Sequence, residues 1–145
     1  MTTFLTNKVL TYPSDQLFTV VADVKEYPEF LPGISEIVLL EQLENTLVVK
    51  VWFGNSIFQE NYTCKVSLSP FNHIKIVGLE GPFTYLESTW DFINLNSNET
   101  LVKFSLNFQF KSTILKVLGA PIFEKLAENM VRSFEERAKT LYCSP

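Results

Sequence analysis

From Ser112 to Leu141 apolar side chains recur at the three-and-four spacing of a helix: Leu115, Leu118, Ile122, Leu126, Met130, Phe134 and Leu141, flanked by Phe123, Ala127, Val131 and Ala138. Lys116, Lys125, Glu128, Arg132, Glu135, Glu136 and Lys139 fall on the other side. The pattern predicts one long C-terminal helix with a wet face and a face that needs a broad apolar cover. The chain before it is rich in Phe, Val, Ile, Leu, Tyr and Trp in short alternating runs, which is strand composition, so the cover is expected to be a sheet.

Phe4 to Tyr12 reads as a first strand ended by Pro13. Ser14 and Asp15 then supply helix-starting chemistry ahead of the stripe Leu17, Val20, Val21 and Val24. Tyr27, Pro28, Phe30, Leu31 and Pro32 make a second, kinked helical turn that breaks at Pro32 and Gly33. Period two follows. Ser35 to Glu44 and Thr46 to Phe53 read as strands around a turn at Glu44 and Asn45, and Gly54-Asn55 signals a hairpin. Ile57 to Ser69 places Phe58, Tyr62, Cys64, Val66 and Leu68 on one face, with Glu60 among them. His73 to Glu80 is bounded by Pro70-Phe71-Asn72 and Gly81-Pro82; Leu86, Ser88, Trp90 and Phe92 share the next face, and Val102, Phe104, Leu106, Phe108 and Phe110 the last. A strand, two short helices, six more strands in hairpin succession and one long helix is an α+β plan with an antiparallel sheet. Each strand has one oily face, and only the terminal helix is long enough to cover it.

At 145 residues the chain fits one domain, residues 1 to 145, able to bury roughly two-thirds of the surface its unfolded form exposes. Its residues are 46% hydrophobic and include thirteen Phe, so either a dense core or a cavity absorbs the aromatic excess. A net charge of −4 and a pI of about 5.0 disfavour a long nucleic-acid groove, and no DNA partner is expected. Cys64 and Cys143 form no CxxC pair and lack a histidine cluster, which points to reduced thiols and no metal site. Met1 to Tyr12 lacks the basic and apolar regions of a secretory signal, and no run of eighteen apolar residues exists to span a membrane.

Candidate chemistry is sparse. The single histidine, His73, shares a strand face with Lys75 and Val77 where solvent is the expected neighbour, and no nucleophile–base set or phosphate loop is present, so no catalytic residue is assigned. Glu60 is the exception to the alternation. A carboxylate among Phe58, Tyr62 and Cys64 must be turned outward by a bulge, paired, or solvated inside a cavity as a polar anchor. Gly119-Ala120-Pro121 reads either as a static kink or as a hinge that frees Thr113 to Leu118 as a lid.

Four blocks in register resemble the coenzyme Q-binding protein family, a branch of the START-like superfamily of polyketide cyclases and lipid-transport proteins. They are Val21-Ala22-Asp23-Val24-Lys25-Glu26-Tyr27-Pro28-Glu29-Phe30-Leu31-Pro32, Phe58-Gln59-Glu60-Asn61-Tyr62, Gly81-Pro82-Phe83-Thr84-Tyr85-Leu86 leading to Trp90, and Met130-Val131 leading to Phe134-Glu135-Glu136-Arg137-Ala138. The chain departs from the family pattern at Pro121 and at Gly33-Ile34.

The resemblance implies a helix-grip (START-like) fold, seven curved antiparallel strands around the terminal helix, and a lipid-sized cavity. The implied activity is noncatalytic binding of ubiquinone or a related polyisoprenoid in support of respiration or quinone synthesis, with no cofactor beyond that hydrophobic small-molecule ligand. Its alternatives are a ribosome-association toxin acting on the large ribosomal subunit, and an oligoketide cyclase. The implied place is the bacterial cytoplasm beside the inner membrane, or the matrix side of the mitochondrial inner membrane for a processed eukaryotic protein. On this reading Glu60 and Tyr62 face the ligand head. Phe58, Trp90, Phe104 and Phe108 line the sheet side, and Leu118, Ile122, Phe123, Leu126 and Met130 the helix side. Tyr27, Phe30 and Leu31 of one loop, with Phe83 and Leu86 of another, stand at the mouth, where those loops make transient contact with a membrane surface or pack on each other.

Overall fold

In the computed structural model, which describes residues 1–142, β1 (Thr2–Leu10) is followed by α1 (Ser14–Ala22) and a 3-10 helix (Val24–Glu29). Six strands succeed them: β2 (Ile34–Gln42), β3 (Thr46–Gly54), β4 (Gln59–Ser69), β5 (His73–Glu80), β6 (Phe83–Asn96) and β7 (Glu99–Phe110). Two helices close the chain, α2 (Thr113–Glu128) and α3 (Met130–Tyr142). Cys143 lies outside the described residues.

The strands form one antiparallel sheet in the order β1-β7-β6-β5-β4-β3-β2. Hairpins link every neighbour from β2 to β7, whereas β1 and β2 stand on opposite edges, so α1 and the 3-10 helix carry the chain across the sheet from one edge to the other. The sheet is curved, and one face is covered by the terminal helices. Val49, Val51 and Phe53 of β3, Cys64 and Val66 of β4, and Phe104, Leu106 and Phe108 of β7 alternate into that covered side and are buried. This is the helix-grip arrangement.

The terminal helix is not one element. Asn129 stands between α2 and α3 with φ −105° and ψ 3°; its Nδ2 donates to the Lys125 carbonyl at 2.9 Å, and Arg132 donates to its Oδ1. An asparagine side chain that bonds local backbone offers the chain an alternative to the helical ladder, and here the helix breaks. Pro121, the expected interruption, sits inside an unbroken α2. Thr113 to Leu118 is therefore the first part of that helix and not a separate lid. Ser112 caps it, with Leu115 N–H donating to Ser112 Oγ at 3.2 Å.

Three smaller differences have local causes. β1 begins and ends two residues earlier than the hydrophobic pattern suggests, because pairing with β7 runs from Thr2↔Phe108 to Leu10↔Thr100. Thr100, fully buried, then donates to the Tyr12 carbonyl at 2.8 Å. α1 is preceded by Pro13, and no side chain caps it; Asp15 lies in the first turn, where a negative charge suits the helix dipole. β2 shifts register twice against β3, between Ile34 and Glu36 and between Leu39 and Glu41, and the second shift leaves Leu40 exposed.

An apolar chamber beneath the terminal helices

The inner face of the sheet carries two groups of rings. At one end Phe53 of β3, Phe83 of β6, Phe108 of β7 and Phe123 of α2 meet, with centroid distances from Phe123 of 5.0, 5.0 and 5.2 Å respectively. At the other, Trp90 lies 4.7 Å from Phe104 and 5.1 Å from Phe134 of α3. These edge and tilted contacts are the packing that aromatic quadrupoles favour. Six of the thirteen Phe take part in them.

Between the two groups a chamber of about 70 Å³ remains. That is several water volumes, and well below the roughly 300 Å³ at which pockets for drug-sized ligands begin. The lipid-sized cavity implied by the sequence resemblance is thus not present as an open space. What is present is its outline. Nine of the expected residues line it: Tyr27, Leu31, Tyr62, Leu86, Trp90, Phe104, Phe123, Leu126 and Met130.

The other seven lie elsewhere. Phe83 and Phe108 belong to the ring cluster that closes one end. Phe58 is half-buried against Phe53 at 6.2 Å. Phe30 packs on Tyr27 and Phe134 beneath the Arg137 guanidinium, 5.2 Å from its ring. Leu118 is 42% exposed, because the first turns of α2 project past the covered part of the sheet. Ile122 lies in an outer groove near Gly33. Glu60 pairs with Phe53 across β3 and β4, on the inward face, but it is half-buried and its Oε1 accepts from the Asn61 N–H at 3.0 Å instead of reaching the chamber.

Several lining residues went unassigned from sequence, among them Val49, Val66, Ile76, Cys64, Ser88 and Phe134. Cys64 and Val66 share the alternating face of Tyr62, and a serine among Leu86, Trp90 and Phe92 was itself a signal.

The polar groups of the chamber are few. Tyr27 is satisfied, since its hydroxyl donates to the Val21 carbonyl. The phenol of Tyr62 and the hydroxyl of Ser88 have no hydrogen-bond partner among the described residues. Tyr62 is held in place from behind: Gly81, at φ 139°, lies so close that a Cβ there would stand 2.6 Å from Tyr62 Cβ. Burial pushes the Tyr62 phenol well above its ordinary pKa, and Cys64 and Tyr27 add to the effect, so the group is a neutral donor. Burial likewise pushes the Cys64 thiol up to about 12, which leaves it protonated and inert at neutral pH. Among the described residues, no Asp, Glu, His, Lys or Arg lines the chamber.

A second, open hollow of about 610 Å³ lies outside, lined by Phe30, Pro32, Gly33, Ile122, Lys125, Asn129 and Arg132 among others. Leu126 lines both spaces. This side chain, 7% exposed and three residues before the α2–α3 break, thus borders the chamber on one side and the groove on the other. His73 plays no part: its Nδ1 lies 2.7 Å from Asp91 Oδ1 on the outer face of the sheet.

Comparison with known proteins places this geometry in context. A family model described as polyketide cyclase / dehydrase and lipid transport matches residues 10–135. The chain is 34% identical over 134 residues to the ribosome association toxin RatA of Vibrio cholerae, covering 92% of this chain and 93% of that one. It is 26% identical over 140 residues to the mitochondrial coenzyme Q-binding protein COQ10 homolog B of Xenopus laevis, covering 94% of this chain and 57% of the other. Among solved structures, the 18 kDa protein CC1736 of Caulobacter crescentus is 30% identical with a TM-score of 0.76 over 99% of this chain and 100% of that one. An aromatase/cyclase from Streptomyces sp. R1128 is 16% identical with a TM-score of 0.83 over 95% and 93%, a likeness of fold alone.

Proposed function

The chain belongs to the polyketide cyclase / dehydrase and lipid transport family, and from that premise we propose that it binds ubiquinone or a related polyisoprenoid quinone without transforming it. The observation that carries the reading is the Tyr62 phenol, neutral and without a hydrogen-bond partner among the described residues, in a chamber whose other walls are mostly apolar. A quinone carbonyl would accept a hydrogen bond from it, and the apolar lining would receive the ring and the first isoprene unit. A tail needs more room than about 70 Å³. Rotation of Leu126 would join the chamber to the groove outside and let the tail pass along Ile122 and Phe30. Met130 in the lining adapts readily to such a change. Coenzyme Q binding is also what the Xenopus laevis relative is named for.

The test is native mass spectrometry of protein incubated with a quinone-containing membrane extract, followed by organic extraction. The expected result is a prenylated quinone retained in one-to-one stoichiometry and lost in Tyr62→Phe. A protein that stays lipid-free under every loading condition overturns the reading.

A second reading rests on the 34% identity to a protein named a ribosome association toxin. It expects co-sedimentation with the large ribosomal subunit that weakens as salt rises. An oligoketide cyclase would need a carboxylate or a tyrosine pair converging inside the cavity. Glu60 does not line the chamber, whereas Tyr27 and Tyr62 both do, and a turnover unchanged in Glu60→Gln would remove the carboxylate as its acid–base group.

A further inference from the structure

Among the described residues two polar side chains are buried, Thr100 and Ser88. Thr100 is satisfied, since it donates to the Tyr12 carbonyl at 2.8 Å. Ser88, 7% exposed, sits on the inner face of β6 between Leu86 and Trp90, and its hydroxyl has no hydrogen-bond partner among the described residues. Its neighbours across the sheet, Ile76 of β5 and Leu106 of β7, are aliphatic and line the same chamber. An unpaired buried hydroxyl is destabilising, and an alanine would fit the same space without that penalty. The chain's own contacts do not account for a serine at this position.

We infer that Ser88 is a second contact for the ligand head, so that Tyr62 holds one carbonyl of a para-quinone and Ser88 the carbonyl on the opposite side of the ring. This rests on the quinone reading proposed above, and adds to it the residue that distinguishes a dicarbonyl ring from a ring with a single acceptor.

The placement of the two hydroxyls calls for two acceptors. Tyr62 is on β4 and Ser88 on β6, with β5 between them, so their strands stand roughly 10 Å apart. Ser88 is level with Ile76, and Ile76 with Val66 of β4, which follows Tyr62 by four positions, roughly 13 Å along the strand. Two O–H···O bonds sharing one oxygen span about 6 Å at most. The phenol arm covers less than half of the diagonal, so one oxygen does not serve both hydroxyls. A rigid ring with an oxygen at each end does.

The lining also selects the kind of oxygen. With no Asp, Glu, His, Lys or Arg around the chamber among the described residues, a carboxylate or phosphate would meet no countercharge, whereas a neutral carbonyl needs only a donor. The other polar groups compete little. Tyr27 is engaged with the Val21 carbonyl, and Cys64, on the face of Tyr62 and Val66, is a weak donor.

The test is calorimetric titration of the full chain with two probes that each carry one isoprene unit, a para-benzoquinone and a cyclohexenone whose ring has a single carbonyl. Wild type is expected to bind the quinone about fivefold more tightly, the value of one further net hydrogen bond. Ser88→Ala should erase that preference by weakening the quinone about fivefold and leaving the cyclohexenone unchanged, whereas Tyr62→Phe should weaken both. Ser88→Cys, similar in size but a weaker donor, should fall between serine and alanine. Thermal unfolding without ligand is the control: Ser88→Ala should match or exceed wild type, because the hydroxyl removed has no partner. Quinone binding that Ser88→Ala leaves intact, or an equal loss for both probes, overturns the inference. So does a Ser88→Ala variant less stable than wild type without ligand, which would make the hydroxyl structural. The two ideas fail separately. Quinone binding lost in Tyr62→Phe but intact in Ser88→Ala removes Ser88 and keeps the quinone reading, and a protein that takes up neither probe removes both.

Discussion

Leu86 lies across Gly78 on the adjacent strand, and a methyl group built on Gly78 would stand 2.9 Å from Leu86 Cβ and 3.3 Å from its Cδ2. Leu86 lines the chamber, so a strand position without a side chain sets how far a chamber wall can retreat. Gly78→Ala should push Leu86 into the free space and cost about 1–3 kcal/mol, the range for an overpacked interior. Urea unfolding would show the loss as a lower midpoint with an unchanged slope, and loading experiments should show a smaller occupied fraction.

Tyr62→Phe keeps the ring that meets Phe53 at 5.7 Å and Phe83 at 5.5 Å and removes only the unpartnered hydroxyl. Stability is expected to stay within about 1 kcal/mol of wild type, since no hydrogen bond is lost on the protein side. Quinone retention should fall. The same substitution at Tyr27 should behave differently, because that hydroxyl donates to the Val21 carbonyl, and its removal leaves the carbonyl without this donor. Thermal unfolding of the two variants side by side would separate a ligand contact from a structural one.

Cys64 makes the fold sensitive to alkali. Its thiol is pushed from 9.0 up to about 12 by burial. Above the unfolded value the unfolded chain loses a proton that the folded chain keeps, so stability is full below about pH 9 and declines towards pH 12. The slope from this group alone is roughly 1.4 kcal/mol per pH unit. Tyr27 and Tyr62, raised in the same sense by burial, steepen it at the upper end. Cys64→Ala should flatten the early part of an unfolding free-energy profile between pH 9 and 10, and wild-type Cys64 should resist alkylation at neutral pH until the protein unfolds.

The sheet was legible in sequence because one face of it is buried, which forces period two onto β3, β4, β6 and β7. The terminal stripe was legible as to side but not as to extent. It places Leu118 on the covered face, and the helix then runs past the sheet before reaching it, so Leu118 meets solvent. Ring interpenetration is equally invisible to spacing: Phe83, Phe108 and Phe123 each point inward as alternation demands, and it is their mutual contact that shrinks the space. At Asn129 the break depends on a side chain bonding the Lys125 carbonyl, whereas Pro121, the obvious breaker, is tolerated on the exposed side of α2. Glu60 does fall on the apolar face, as its position in the alternation requires, but at the start of β4 its carboxylate turns to the Asn61 N–H.

Leu126 is the remaining test of how the chamber communicates with the outside. It is buried, it lines the chamber and the groove, and it precedes the helix break by three residues. Leu126→Ala should therefore do two separable things. Loss of a buried leucine side chain should cost about 2–5 kcal/mol, towards the lower end because the groove already admits water on one side. Removal of the partition should also speed exchange of bound quinone between protein and vesicles, measured by stopped-flow quenching, while the same truncation at Val66, a lining residue remote from the groove, should destabilise without speeding exchange. Equal exchange rates in the two variants would mean that the ligand passes through some other wall of the chamber.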